Sequence, residues 1–243
     1  MTTDTPTLAG KQIVIFGGSS GIGLATAVAA KRRGAAVTLV GRTPAKLATA
    51  ACILGGAGTI EADLGRRESI EAVFEAIPEL DHLVITAGGI HAGKLSETDP
   101  DDLLVEVNEH IAGSLYAVKA AMPRMRPQGS VVLMGGQFSD RPAGNGTSVM
   151  ALACRGIEAL ARALALEYKP ARFNVIAPGF VETPIYDAFG SEVRAAILSA
   201  AAASLPVGRI GQPQEIADAI LFLLGNGYVN CEVLHVDGGG RFA

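Results

Sequence analysis

An apolar run, Ile13-Val14-Ile15-Phe16, breaks into Gly17-Gly18-Ser19-Ser20-Gly21-Ile22-Gly23. Residues of these types in this order work through their backbone. Gly17 permits a tight turn, Gly21 lets the main chain approach a bulky anion, and Gly23 allows a following helix to pack closely, its first N–H groups left as donors. Ser19 and Ser20 add hydroxyl donors. Between a buried strand and a helix, such a segment suits the pyrophosphate of a dinucleotide, the plain alternative being an ordinary glycine-rich turn.

The second apolar run, Ala36 to Val40, leads into Gly41-Arg42-Thr43. An acidic side chain here would bond the ribose hydroxyls of an adenosine and repel a 2'-phosphate. Arg42 instead offers two parallel hydrogen bonds to such a phosphate, so NADP(H) is expected in preference to NAD(H), unless Arg42 is only a solvated charge.

Other residues able to do chemistry are sparse. His91 and His110 carry imidazoles that could donate a proton near neutral pH, although a lone histidine is more often a hydrogen-bonded structural residue. Ser139, Asp140 and Arg141 could orient a polar substrate or simply form a solvated loop. Ser148 reads most simply as a helix cap. No HExxH spacing occurs, and no metal is expected.

Elements must hold these residues, and strand-length apolar runs alternate along the chain with segments of helical period. Strands are expected at Lys11 to Phe16, Ala36 to Val40, Thr59 to Ala62, His82 to Thr86, Ser130 to Met134, Phe173 to Ile176 and Glu232 to Val236. Helices are expected at Gly21 to Arg33, Pro44 to Ala51, Arg66 to Ala76, Asp101 to Met122, Ser148 to Tyr168, Ser191 to Ala203 and Pro213 to Leu224. Such alternation implies a parallel sheet in an α/β three-layer sandwich with right-handed crossovers. Gln137 to Gly146 and Pro178 to Gly190 read as loops after strands, where a ligand crevice would lie.

GSSGIG at the first turn resembles the TGxxxGIG signature of the short-chain dehydrogenase/reductase family. Asp63-Leu64 resembles the family's adenine-binding aspartate segment, Ala87-Gly88 the end of its NNAG motif, and Asn174, Pro178-Gly179 and Thr183-Pro184 its NxxxPGxxxTP segment. Arg209 to Ala217 and Val236-Asp237-Gly238-Gly239 match two later signatures, so the resemblance spans nearly the whole chain. It implies a Rossmann-type doubly wound sheet of strand order 3-2-1-4-5-6-7 in one domain over residues 1–243. It also implies cofactor contacts at Gly17, Ser19, Ser20, Gly21, Ile22, Gly23, Arg42, Thr43, Asp63, Leu64, Ala87, Gly88, Pro178, Gly179, Val181 and Thr183. A homodimer or homotetramer is expected, the alanines Ala159, Ala161, Ala163 and Ala165 suiting close helix contact.

The family's Asn, Ser, Tyr, Lys set does not carry over. None of Tyr116, Tyr168, Tyr186 and Tyr228 is followed four residues later by lysine. Counting back from Arg162-Ala163-Leu164-Ala165 puts Met150 in the tyrosine place and Cys154 in the lysine place. The serine is replaced within Gly135-Gly136, the asparagine position falls on His110, or on Asn108 if the helix shifts register, and Ile85-Thr86-Ala87-Gly88 departs from NNAG. Methionine cannot transfer a proton and a neutral thiol supplies no positive charge. Three functions follow as expectations: an NADP(H)-dependent reductase of a small, apolar carbonyl-like or activated substrate with His110 as its unusual acid, a catalytically silent NADP(H)-binding regulator or assembly partner, or a non-redox lyase or isomerase. The segment before Pro213, mostly Ala, Leu and Ile, suggests an apolar lid.

Composition narrows the setting. A net charge of -4 with scattered Lys and Arg gives no basic stripe for nucleic acid. No apolar stretch reaches the roughly 18 residues of a membrane span. Met1 to Gly10 has no secretory pattern, so a cytoplasmic protein is expected, with Cys52, Cys154 and Cys231 as thiols serving packing.

Overall fold

The computed structural model describes residues 8–144 and 146–243. Most of the Met1 to Gly10 segment, and Asn145 in the Gln137 to Gly146 loop, lie outside the described residues. The elements run β1 (Gln12–Phe16), α1 (Gly21–Arg32), β2 (Ala36–Gly41), α2 (Pro44–Ile53), β3 (Gly58–Glu61), α3 (Arg67–Glu75), β4 (Leu80–Ile85), α4 (Pro100–Val107), α5 (Gly113–Ala121), β5 (Met125–Met134), α6 (Ser148–Glu167), β6 (Arg172–Pro178), α7 (Ser191–Ser204), α8 (Pro213–Gly225) and β7 (Val233–Val236).

All seven strands are parallel, in the order β3-β2-β1-β4-β5-β6-β7. A parallel sheet needs cover on both faces, and the alternation within β1 provides it. Val14 and Phe16 pack with Ile70, Phe74, Leu83, Val131 and Ile157 on one face. Ile13 and Ile15 pack with Ala27, Leu39, Ile216 and Ile220 on the other. The strand order reverses between β1 and β4, which makes the carboxyl ends of these two strands the place where a doubly wound sheet opens its crevice.

The opposite end of the sheet is tied by charge. The buried Asp81 carboxylate pairs with Lys11 at 2.9 Å and Arg126 at 3.1 Å and accepts the Gln12 N–H. Arg172, at the start of β6, donates to the carbonyls of Leu223 and Leu224, which closes the end of α8 against the sheet. No helix among the described residues is long and apolar enough to cross a membrane.

Three expectations need correction. The helix read over Asp101 to Met122 is α4 and α5 joined by a π turn, Asn108–Ala112; an i to i+5 turn inserts a residue and re-aims the side chains around it. Ser148 is the first residue of α6 rather than its cap, and Thr147 holds the cap position with its hydroxyl bonded to the backbone of Ala143. The Pro178 to Gly190 loop contains a short 3-10 helix, Pro184–Phe189.

Candidate active site

The turn leaving β1 is built by close backbone approach. A Cβ on Gly23 would stand 2.2 Å from the Gly17 carbonyl oxygen, and Gly17 itself has φ +81, so neither place accepts a larger residue without movement. Ser20 occupies the cap position of α1 with its hydroxyl unspent on the helix, and a helix start leaves its first-turn N–H groups without intrahelical partners. Thr86 donates its hydroxyl to the Phe16 carbonyl at 2.8 Å, tying the end of β4 to the turn where the sequence departs from the NNAG pattern. Thr183 lies against Gly21, at 3.3 Å from where a Cβ would be, so the segment after β6 closes one side. Gly179 and Val181 are fixed by Val236 and by a bridge to Gly211, respectively.

On the adenosine side the residues divide. Leu64 is buried in the core against Gly113, and the Asp63 carboxylate accepts the Gly65 N–H at 3.0 Å. Arg42 extends largely exposed from the end of β2, its guanidinium 3.5 Å from a Glu109 carboxylate oxygen. Glu109 also accepts the Gly89 N–H at 3.0 Å and has the His91 ring 3.8 Å away.

His110 lies on the π turn with its ring against Gly88. A Cβ on Gly88 would come within 2.5 Å of His110 Nε2, and Gly88 has φ +149, so the glycine is required both by conformation and by the ring. His110 Nε2 is 3.1 Å from Glu106 Oε1, and both side chains are deeply buried, at 13% and 4% exposed. The two atoms stand at ion-pair distance without an in-line hydrogen bond, and the contact is an ion pair when the ring is protonated. The other Glu106 oxygen accepts the His91 N–H at 3.0 Å. Burial opposes charge on the ring, but Glu106, Glu109 and the Gly89 backbone outweigh it, and the His110 pKa is raised above its ordinary value.

Met150 and Cys154, one turn apart on α6, are both buried. Burial, then the charges of Glu106 and Glu158, push the Cys154 thiol up to about 12, so it stays neutral.

A family model described as "Enoyl-(Acyl carrier protein) reductase" matches residues 17–240. The human protein named "3-oxoacyl-[acyl-carrier-protein] reductase" is 32% identical over 237 residues, covering 94% of this chain and 97% of its own. A solved structure titled "short chain dehydrogenase/reductase family protein" superposes with a TM-score of 0.88 at 32% identity, over 97% of this chain and 99% of that one. The chain belongs to the short-chain dehydrogenase/reductase family. A further member, titled "Crystal structure of a small-chain dehydrogenase in complex with NADPH", matches at 28% identity and a TM-score of 0.84, over 96% of this chain and 100% of that one.

In this short-chain dehydrogenase/reductase the loop after β5 is committed to structure. Asp140 pairs with Arg155 at 2.8 Å and with His235 at 2.6 Å. Burial alone would raise its pKa, but these two partners lower it. Ser139 donates to the Gly136 carbonyl and Arg141 to the Gly240 carbonyl. None of the three is gathered with His110. Sequence reasoning missed Glu106 and Glu109. The i, i+4 spacing of Glu106 and His110 was the available signal for the first; none existed for the second. It also passed over Gln137, whose side chain is buried with its oxygen directed at Gly240.

Proposed function

We propose that the protein is an NADP(H)-dependent oxidoreductase that reduces a small, apolar carbonyl-like substrate and uses His110, held charged by Glu106, as its proton donor. The observation that carries this reading is the buried His110–Glu106 pair set against Gly88 at the mouth of the dinucleotide groove. The residues present fit the cofactor: the Gly17 to Gly23 turn has the close approach and the first-turn N–H groups a pyrophosphate needs, and the Arg42 guanidinium suits a 2'-phosphate. The neighbour solved with NADPH and the relative named for 3-oxoacyl reduction support both the cofactor and a ketone-bearing substrate.

When bound, the dinucleotide supplies a hydride to the substrate carbon. The carbonyl π electrons move to oxygen, and the developing alkoxide takes the proton from the His110 imidazolium, which becomes neutral; solvent then restores it. Glu106 favours the charged ring before transfer. A positioned acid of this kind is worth about a hundred to ten thousand fold. Met150 and Cys154 have no part in proton transfer, being a thioether and a neutral thiol.

The test is consumption of NADPH, followed by its absorbance, against ketones, 3-oxoacyl thioesters, imines and activated alkenes. Turnover of a ketone with NADPH is the expected result. Tight NADPH binding without turnover of any class would replace this reading with a silent cofactor-binding protein.

A further inference from the structure

Sheet order puts β1 between β2 and β4. The glycine-rich turn that leaves β1 therefore lies between Arg42, just past β2, and Gly89, just past β4. One side chain touches both flanks. Glu109 accepts the Gly89 N–H with Oε2 at 3.0 Å and places Oε1 3.5 Å from the Arg42 guanidinium, with His91 at 3.8 Å from Oε2. A carboxylate that reaches from one flank to the other lies across the carboxyl end of β1, where the crevice of a doubly wound sheet receives the phosphates of a dinucleotide.

We propose that Glu109 is a bar across the dinucleotide groove, which the cofactor must displace in order to bind. The inference rests on the dinucleotide reading above and adds what sets the affinity. A carboxylate and a phosphate are both anions that seek the same donors, a guanidinium and a backbone N–H. With Glu109 in place, the Arg42 guanidinium and the Gly89 amide already have an anionic partner. The incoming dinucleotide takes over Arg42 and meets a like charge if the carboxylate stays. The Arg42 end of the bar is its weak end, since that guanidinium is 66% exposed and such pairs bind loosely in water. The Gly89 end is the anchored one, because Glu109 is only 15% exposed there.

The plain alternative is that Glu109 merely satisfies the Gly89 N–H. Two variants separate these roles. Glu109→Gln keeps an oxygen for Gly89 and removes the charge; Glu109→Asp keeps the charge and shortens the reach to Arg42. Calorimetric titration of the full chain and both variants with NADPH and with NADH reads the dissociation constants directly, without turnover. We expect Glu109→Gln to bind both dinucleotides about tenfold more tightly, the order set by one displaced charge-assisted contact, and Glu109→Asp to fall between it and the parent. Dinucleotide binding by Glu109→Gln where the parent shows none would support the bar still more strongly. If the parent binds NADPH and Glu109→Gln binds it no better, the bar is overturned while the cofactor reading stands. If neither parent nor variants bind either dinucleotide, the cofactor reading falls and takes this one with it.

Discussion

The glycine-rich turn after β1 and the cluster of Glu106, Glu109 and His110 sit side by side near the carboxyl end of the same sheet, and they are built from different materials. The groove is backbone: a Cβ on Gly23 would meet the Gly17 carbonyl, one on Gly17 would meet Thr86 and Ala87, and Gly21, with φ +50, lies against Thr183. The pocket is buried charge: Glu106 near the end of α4 and His110 one turn on, in the π turn that follows, with Glu109 between the two regions. A site made of backbone tolerates change everywhere except at its glycines, whereas a site made of paired charges depends on partners being present together. In this chain the first kind has kept the residues its geometry requires, and the second brings Glu106, Glu109 and His110 together.

That contrast can be broken in four places. The largest effect is expected from His110→Ala, which should lower kcat by about a hundred to ten thousand fold while leaving NADPH binding in place; a variant that loses binding instead would merge the two regions into one. Gly23→Ala should do the reverse. Its methyl would meet the Gly17 carbonyl, and overpacking of this kind costs about 1–3 kcal/mol, so NADPH should bind about ten- to a hundredfold more weakly with the saturated rate kept. Calorimetry beside steady-state rates distinguishes the two.

Glu106→Gln sharpens the account within the pocket. Removing the charge that favours the protonated ring should lower the apparent pKa of the acid and, with it, the rate near neutral pH, both read from the pH profile. The smallest effect is expected at Cys154. Its thiol is pushed up to about 12, so at pH 8 an alkylating reagent should label the exposed Cys52 and leave Cys154 unmodified in the folded protein, and Cys154→Ala should change kcat by less than about twofold. Labelling of Cys154 at a rate like that of Cys52, read by mass spectrometry, would contradict its burial beside two carboxylates.

How much of this was legible follows the same division. Gly17 to Gly23 declare themselves, because only glycine fits positions where backbone meets backbone, and the apolar runs of β1, β4 and β6 are marked by burial on both faces. His110 could be found by counting along the family pattern, but its partner could not be weighed. Glu106 and His110 at i, i+4 look like an ordinary exposed helix pair until the π turn buries them. The break in the helix itself left no mark, since Asn108 to Ala112 contains neither proline nor glycine. Arg42 was read for its own charge alone; that Glu109 stands opposite it depends on the strand order and on the helix register together, which no local pattern encodes.

The most direct test is the pH dependence of kcat/KM for the parent and for His110→Ala, measured side by side on one ketone. Because the folded pKa of His110 is raised, its charged form, and the stability it contributes, are fully present below the ordinary histidine value of 6.5 and are lost as pH rises through the folded value. The account predicts a parent rate that falls on an alkaline limb centred above 6.5, and a His110→Ala profile that is slower and lacks that limb. Superimposable profiles of equal height would contradict it, and the proton would have to come from another group.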